Sequence, residues 1–494
     1  MIIKNWLKGP WYDDAGVRHE GTVPGKFLPV SGTAHRNLIG IVDCVTGVGQ
    51  GFTARGVPLY LCYPLRADYP PFLVAIKDHY KTPPIVRFNY EHWEGKWPRG
   101  GITTLLGLAG EKAIEHQALL ECIYLPRSYT DEPVTCNTVG YDTTPWSRVI
   151  NIDPDGCQDV DDILCWRFHD AGVIEFAIGI ADVAAWIPTG SALDKDAALR
   201  ATTMYENGVP VDPMLPTMIS TTVASLRTDG VARPVLALVY RIGSEGNVLE
   251  SPTWSRIVTS VHTCYTYDSV LCTEDATIVR QCVSALRGND IGSDSHLWIE
   301  QLMIAYNAAA ARVIAGRGIL RAHSGVTACK ELAVRTGVPE IEFLGGNSGR
   351  YTSDVMDSKH NGLGLDLYCH ASSPLRRYAD LVNQRWIKSI LFGDSITVVN
   401  PNLSSLNERC GVIKRMERFL WFLTNISTES ITTVGGHIVT IKGAKVRVYV
   451  PKLRRVLKGV VTEEVILGDP VKCRIWCNRR ACTLDNRYVV QVSK

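Results

Sequence analysis

Five aspartates lie between Asp153 and Asp162, in a chain whose charged residues make up only 21% of the total. Because Asp161 and Asp162 are adjacent, neither a straight strand nor a single helix would place them on one face. A loop can gather such residues, and Pro154 and Gly156 are residues that turns favour. Crowded carboxylate oxygens suit hard cations such as Mg2+ or Mn2+, and without a cation their repulsion is costly. The run therefore predicts a metal site.

A solvated acidic turn is the simplest alternative for these aspartates. The flanking sequence disfavours it, because Ile163 to Phe168, a turn at residues 170–172 and Val173 to Ile187 predict two apolar strands beside the loop. An EF-hand is disfavoured too, since a count from Asp153 puts Leu164 where the bidentate glutamate should stand. A phosphatase-like Asp-x-Asp pair leaves the last three aspartates without a role.

A second group of chemically capable residues follows about two hundred positions later. Ser373 is a good N-cap and Pro374 fits the first position of a helix, which the sequence predicts to continue to a stop at Gly393. Arg376 then falls in the first helical turn, where a guanidinium beside free backbone N–H groups forms an anion site suited to phosphate. The alternative is a surface ion pair between Arg376 and Asp380.

Metal-binding carboxylates together with a phosphate-binding arginine suggest phosphodiester hydrolysis. The aspartate run and the segment His370 to Tyr378 resemble the two signatures of the RNB catalytic domain of the ribonuclease II family. Similar segments are also found at Ile180 to Val183, Gly190 to Asp194, Tyr205 with Pro213 to Pro216, and Met416 to Trp421. The resemblance extends over residues 145 to 425.

This resemblance implies a processive 3′-to-5′ exoribonuclease that hydrolyses single-stranded RNA to nucleoside 5′-monophosphates by a two-metal mechanism. The implied fold is α+β: a mixed helix and sheet RNB domain flanked by small OB-fold β barrels. The expected domains are a short or degenerate cold-shock-type OB region at residues 1–57, a second such barrel at 58–140, the RNB domain at 141–430 and a basic RNA-binding OB-like domain at 431–494. Two alternatives remain open: an RNA-binding regulator with this fold but without catalysis, and a metal-dependent nuclease for single-stranded DNA.

The resemblance also implies a role for individual residues. Mg2+, or Mn2+ in its place, would be held by four aspartates: Asp153, Asp159, Asp161 and Asp162. Of these, Asp161 would be the most needed for the chemical step. Arg376 would bind phosphate near the scissile bond, and Glu417 would lie near the active centre. Tyr205 would stack on the 3′-terminal base and Tyr267 would contact the RNA end, with Arg377 and Arg317 as further RNA contacts. Either tyrosine taken alone is more typical of a structural residue.

Composition bears on partners and on compartment. The 15 cysteines are scattered and odd in number, which favours a reducing, intracellular location, with the cytoplasm as the expected compartment, over a disulfide framework. The sequence has no apolar stretch long enough for a spanning helix, so no membrane is expected, and the glycines at 47–51 are too weak a pattern for a nucleotide cofactor.

The overall charge is +2, yet residues 442–487 hold 12 Lys or Arg against 4 Asp or Glu, a net charge of +8. Alternating apolar and polar residues there predict a β barrel with a basic face, for which a solvated basic surface is the alternative.

Overall fold

The computed structural model describes residues 11–12, 18–19, 37–45, 49–66, 69–93, 96–123, 134–323, 330–344, 349–394, 397–461 and 463–494. Contacts divide the chain into two compact units. The barrel unit takes the described residues of Met1–Tyr124, Ala328–Leu344 and Arg415–Lys494, and the central unit takes those of Leu125–Thr327 and Gly345–Lys414. Among the described helices, none combines the length and the apolar character needed to cross a membrane.

The first part of the barrel unit is a closed five-stranded barrel with the strand order β3-β4-β5-β7-β6. A short antiparallel pair, β1 (Trp11–Tyr12) and β2 (Arg18–His19), comes before it, and helix α1 (Lys112–Ile123) follows it. The barrel strands are β3 (Leu38–Val42), β4 (Leu59–Pro64), β5 (Phe72–Ala75), β6 (Pro84–His92) and β7 (Arg99–Leu108). Phe72 packs edge-on against Phe88 with 5.0 Å between ring centroids. Gly100 lies against the Phe88 ring, and a Cβ at position 100 would approach that ring to 2.8 Å, so the packing requires glycine.

The predicted domain boundary between residues 57 and 58 needs correction. Strand β3 lies before that boundary, yet it pairs with both β4 and β6 of this barrel. The predicted boundary therefore lies inside the barrel, in the connection from β3 to β4, and the barrel itself begins at or before β3. Most of the region predicted as a degenerate first barrel, residues 1–57, lies outside the described residues.

The central unit is built on a six-stranded sheet with the strand order β14-β13-β10-β9-β8-β15. Neighbouring strands are antiparallel except β15 and β8, which are parallel. The sheet strands are β8 (Arg148–Ile152), β9 (Asp162–Phe168), β10 (Ile174–Ala181), β13 (Arg233–Ile242), β14 (Thr253–Thr259) and β15 (Thr263–Tyr265). Two hairpins accompany it, formed by β11 (Met204–Glu206) with β12 (Val209–Asp212) and by β16 (Leu320–Ala322) with β17 (Arg350–Thr352).

Both faces of this sheet are buried. Successive residues of a strand point to opposite faces, and the side chains of each face pack in a different hydrophobic core. Ile163 and Cys165 of β9 belong to one core, whereas Leu164 and Trp166 belong to the other. The predicted strand pair at 163–187 is confirmed over β9 and β10, but β10 ends at Ala181. It ends there because the Asp182 side chain caps a 3-10 turn by accepting a hydrogen bond from the Ala185 backbone.

Helices cover the sheet and continue into the second half of the chain. They are α2 (Ala192–Arg200), α3 (Tyr267–Val270), α4 (Glu274–Arg287), α5 (Ser295–Ile314), α7 (Tyr378–Phe392) and the first part of α8 (Leu403–Asn425), whereas α6 (Lys330–Thr336) belongs to the barrel unit. The helix predicted over 298–315 is α5, and it starts earlier because Asp294 caps the N–H groups of His296 and Leu297. Buried Trp298, Leu302 and Tyr306 line its inner side.

The chain ends in a second closed barrel with the order β18-β19-β20-β22-β21. Its elements are β18 (Thr432–Lys442), β19 (Lys445–Val450), β20 (Arg455–Val460), β21 (Pro470–Cys477), the short helix α9 (Leu484–Arg487) and β22 (Tyr488–Ser493). The predicted alternation is seen in β21, where Val471, Cys473 and Ile475 are buried and the residues between them are exposed. The predicted α+β architecture with flanking barrels is therefore confirmed.

The region predicted as catalytic, 141–430, does not coincide with the central unit. Residues 330–344 and 415–430 belong to the barrel unit. The reason is apolar packing: Phe419 and Phe422 of α8 contact the ring of Tyr488, and Ala333 and Ile341 pack with Tyr449 of β19.

Candidate active site

The aspartate run forms the connection between β8 and β9. A turn closes after Pro154, whose carbonyl accepts a hydrogen bond from the Cys157 N–H at 3.1 Å. Gly156 adopts a φ of +76° in this turn, a conformation that favours glycine. Ser225 fixes the far side of the loop, because its hydroxyl donates to the Gln158 carbonyl at 2.7 Å and accepts from the Val160 N–H at 3.0 Å. The loop is thus tied down where the carboxylates converge.

Asp161 is the most enclosed of the carboxylates, with only 3% of its surface exposed. Its Oδ1 accepts a hydrogen bond from the Leu375 backbone N–H at 2.9 Å, and its Oδ2 accepts one from Arg376 Nε at 3.1 Å. Two signature segments separated by more than two hundred residues therefore meet directly at this side chain.

The other three carboxylates differ in how they are satisfied. Asp159 Oδ2 accepts a hydrogen bond from the Tyr205 hydroxyl, and the Cys157 thiol lies 3.9 Å from Asp159 Oδ1. Asp153 Oδ2 is buried and has no hydrogen-bond partner. Asp162 is partly buried at the start of β9.

Burial and nearby negative charges raise the pKa values of Asp153, Asp161 and Asp162. Burial, opposed by the charge of Arg376, raises the pKa of Asp161 to about 7. Burial is also the main reason why the pKa of Asp153 rises to about 6, with the charge of Asp159 as a further contribution. The pKa of Asp162 lies well above its usual value because of burial and of the charges on Asp153 and Asp161. The carboxylates are thus close enough to disfavour one another's ionised forms.

These residues fit a hard divalent cation by their chemistry. A cation would offset the repulsion, would satisfy the buried Asp153 Oδ2 and would favour the ionised forms that burial opposes. Within the described ranges, no three His, Cys, Asp or Glu side chains already stand in a coordinating arrangement. Asp159 and Asp161 are instead engaged by Tyr205 and Arg376.

The predicted helix start at Pro374 is wrong. Helix α7 begins at Tyr378, with Arg377 at the N-cap, and residues 374–376 form a turn before it. Backbone contacts from residues 201–203 hold this turn: Thr203 donates its N–H to the Arg376 carbonyl at 2.9 Å, and Tyr378 donates its own to the Ala201 carbonyl at 2.9 Å. These tertiary hydrogen bonds prevail over the local helix signal. Arg376 therefore lies outside the helix and not in its first turn.

The side chains of the turn are paired differently from the surface ion pair considered above. Arg376 Nη2 contacts the Ser373 hydroxyl at 3.1 Å, in addition to the bond from its Nε to Asp161. Asp380, fully buried, instead accepts Arg377 Nη2 at 2.7 Å and the Ser373 N–H at 2.8 Å. Arg376 nevertheless keeps 45% of its side chain exposed, so its guanidinium is both anchored and open to solvent.

Of the remaining predicted site residues, the tyrosines lie near the carboxylates. Tyr267 stacks on His296 with 3.8 Å between ring centroids. Burial, followed by the charges of Asp162 and Asp153, raises the pKa of Tyr267 to about 12. Tyr205 lies on β11 and reaches Asp159, as described above.

The last two predicted residues, Arg317 and Glu417, lie on other elements of the chain. Arg317 is exposed in the turn after α5, and its carbonyl accepts a hydrogen bond from Asn400. Glu417 lies on α8 in the part that belongs to the barrel unit.

Sequence reasoning missed Ser225, Cys157, Ser373 and Asp380 as residues that organise the site. Cys157 stands inside the aspartate run, so its position was a usable signal. Ser373 and Asp380 were visible in the second signature but were assigned other partners. Ser225 lies 65 positions from Val160, and no local pattern marks it.

A family model for the RNB domain matches residues 145–281 and 346–393, which include all four carboxylates and the Arg376 turn. The chain thus contains an RNB domain. Among curated relatives, Exoribonuclease 2 of Buchnera aphidicola subsp. Baizongia pistaciae is 26% identical over 353 residues, which cover 55% of this chain and 54% of that relative. The match therefore spans about half the length of that protein.

Solved structures show the same fold. RNase R of Mycoplasma genitalium in its apo form has a TM-score of 0.73 at 16% identity, covering 99% of this chain and 93% of that one. The same enzyme has been solved with ribose-methylated single-stranded RNA and with double-stranded RNA. Yeast Ssd1, described as a pseudonuclease, has a TM-score of 0.67 at 14% identity, covering 95% of this chain and 71% of that one. RNB-type folds thus include a pseudonuclease, so activity must be argued from the site.

Proposed function

We propose that this chain is a processive 3′-to-5′ exoribonuclease that hydrolyses single-stranded RNA to nucleoside 5′-monophosphates by a two-metal mechanism with Mg2+. The observation that carries the proposal is the direct contact of Asp161 with the Arg376 turn, beside Asp153, Asp159 and Asp162. A regulator without catalysis would need neither the enclosed carboxylates nor a solvent-open arginine fixed to one of them.

Asp153 and Asp162 are proposed to hold the metal, because they perturb each other and because Asp153 Oδ2 has no protein partner. Asp159 would join them once the Tyr205 hydroxyl no longer donates its hydrogen bond to Asp159 Oδ2. Divalent cations bound there supply an activated water and stabilise the leaving oxygen. Asp161 positions Arg376 through Nε, which leaves the outer part of the guanidinium free to bind a phosphate oxygen.

The RNA end is proposed to lie against the two tyrosines. Tyr205 would stack on the terminal base, and Tyr267, already stacked on His296, would contact the end of the chain. Arg377 would act mainly by holding the turn through Asp380, and Arg317 by binding RNA at the protein surface. Glu417 is retained as an acidic residue near the active centre, on the resemblance alone.

The C-terminal barrel is proposed to bind the RNA backbone. Arg447 of β19 and Lys458 of β20 are exposed and directly opposite each other in register. Like charges in that arrangement destabilise a sheet, and a bound polyanion would relieve them. Deleting the barrel is a poor test, because it would uncover Phe422 and leave buried Glu115 without Arg487. Lys458→Gln is a better test, and it should reduce the slope of log affinity against log salt concentration by about one, the value for one lost phosphate contact.

A time course on 5′-labelled single-stranded RNA with Mg2+ tests the proposal. The intact chain should shorten RNA progressively from the 3′ end and release mononucleotides, Asp161→Asn should bind without cutting, and Asp155→Asn, an exposed change in the same loop, should cut normally. A matched DNA strand tests the DNA nuclease. RNA that is bound but never cut by the intact chain would favour the non-catalytic regulator.

A further inference from the structure

A groove of about 390 Å³ lies on the outside of the C-terminal barrel, between the face of β21–β22 and residues 428–431. One wall carries Arg474, Trp476 and Gln491. The groove is lined from β21 and β22, whereas Arg447 and Lys458 lie on β19 and on β20, the strand that neighbours β22.

The first wall follows from strand geometry. Val471, Cys473 and Ile475 of β21 point into the barrel, so Arg474 and Trp476 share the outer face. Gln491 of β22 is paired directly with Arg474 in the antiparallel register. An indole, a guanidinium and a primary amide therefore stand side by side on a sheet whose inner face is packed.

The opposite wall is held by its own hydrogen bonds. The Ser427 hydroxyl accepts the N–H groups of Glu429 at 3.2 Å and Ser430 at 3.0 Å. The Ser427 N–H donates to the Thr432 hydroxyl at 2.9 Å, which ties the segment to the start of β18. The groove is thus formed before any ligand arrives, which lowers the entropic cost of binding.

The lining combines an aromatic ring, Trp476, with one cation, Arg474, and one anion, Glu429, and further cations flank Arg474 in the sequence. Residues 472–480 contain four cationic side chains and no acidic one, at positions Lys472, Arg474, Arg479 and Arg480. An aromatic ring interleaved with such charges suits a nucleobase with its phosphate. Glu429 on the opposite wall would repel a phosphate but can accept a hydrogen bond from a base amino group, so it orients the ligand with the phosphate toward Arg474.

We infer that this groove binds one nucleotide of the RNA, with its base on Trp476 and its phosphate at Arg474. The inference rests on the proposed function only in taking RNA as the substrate class. It adds a second contact surface on the barrel, one that recognises a base and not only the backbone.

The test is RNA binding by the full chain in EDTA, so that no hydrolysis occurs. Trp476→Leu should weaken binding by roughly 5- to 150-fold, the range for loss of one base–aromatic stack, and should leave the salt dependence unchanged because no charge is removed. Arg474→Gln should weaken binding and reduce the salt dependence. Lys458→Gln, which removes one charge from the neighbouring strand β20 and not from the groove lining, is the matched charge control and should change the salt dependence with a smaller loss of affinity.

A measurement on the unmodified chain guards against misfolded variants. RNA that carries a photoreactive base should cross-link to the peptide containing Trp476. Cross-links confined to residues 445–458, together with unchanged affinity of Trp476→Leu, would overturn the inference. Because binding is read without metal, a chain that binds at Trp476 yet releases no mononucleotide would contradict the proposed hydrolysis and leave this site standing.

Discussion

Replacing Asp161 with asparagine should stabilise the metal-free protein at neutral and higher pH while it abolishes hydrolysis. The folded pKa of Asp161 is about 7, whereas an aspartate in an unfolded chain has a pKa of about 4. The folded state therefore holds the proton more tightly, and its stability falls as the pH rises from about 4 to about 7. At 1.36 kcal/mol for each pH unit between the two values, the full penalty above pH 7 is ~4 kcal/mol.

Asparagine carries no such penalty, because it does not ionise. Of the ~4 kcal/mol, about 3 kcal/mol develops between pH 5 and pH 8 by the same linkage. For a domain of this size, that is a gain of roughly 5–10 °C in the unfolding temperature of the variant relative to the intact chain. The charge of Asp161 also contributes to the raised pKa of Asp162. Removing that charge therefore makes ionisation of Asp162 less unfavourable, which further stabilises the variant.

Scanning calorimetry in EDTA at pH 5 and pH 8 measures this difference, with Asp155→Asn as the exposed control from the same loop. The offset between Asp161→Asn and the intact chain should grow with pH, and the control should show no such growth. Saturating Mg2+ should remove much of the disadvantage of the intact chain, since a cation favours ionised carboxylates. An offset equal at both pH values would refute the argument that burial of Asp161 is uncompensated.

Three further substitutions test neighbouring contacts. Tyr205→Phe removes the hydroxyl that engages Asp159 but keeps the ring, so Mn2+ affinity measured by electron paramagnetic resonance should rise about fivefold, for ~1 kcal/mol of hydrogen bond; unchanged affinity would show that the hydroxyl does not compete with the metal. Arg376→Lys should lower kcat by roughly 10²- to 10³-fold with near-normal RNA binding, as for loss of one transition-state donor, and near-normal kcat would remove its phosphate role. Asp380→Asn removes the buried carboxylate that pairs with the partly exposed Arg377, so chemical denaturation should show ~1.5–3 kcal/mol of lost stability, as for one charged hydrogen bond; a loss under 0.5 kcal/mol would mean that the pair is dispensable.

The elements that follow simple periodicity could be predicted from the sequence. Alternation in β21 and the apolar face of α5 are local properties, so their positions were predictable to within a few residues. The N-terminal barrel was harder, because β3 is separated from β4 by a long glycine-containing connection. A break in the local pattern there resembles a domain boundary, although the pairing of β3 with β6 closes one barrel.

The site was predictable in composition but not in its connections. The sequence indicates that the aspartates gather on a loop, yet the partners of Asp161 lie 214 and 215 positions away. Local rules place a helix start at Ser373, and they fail because residues 201–203 bind the backbone of the turn. The same failure changes the chemistry: an arginine in a helical turn would face Asp380, whereas Arg376 in the observed turn faces Asp161.

Charge balance explains why the two signatures need each other. Four ionised aspartates carry a charge of −4. While no cation is bound, Arg376 offsets one of these negative charges. The other three can be reduced only by protonation of the carboxylates, in line with the raised pKa values of Asp153 and Asp161. Under the proposed two-metal chemistry, the four carboxylates match two divalent cations in charge, so the positive charge of Arg376 becomes available to a phosphate. The contact between Arg376 and Asp161 thus joins metal occupancy to phosphate binding at a single hydrogen bond.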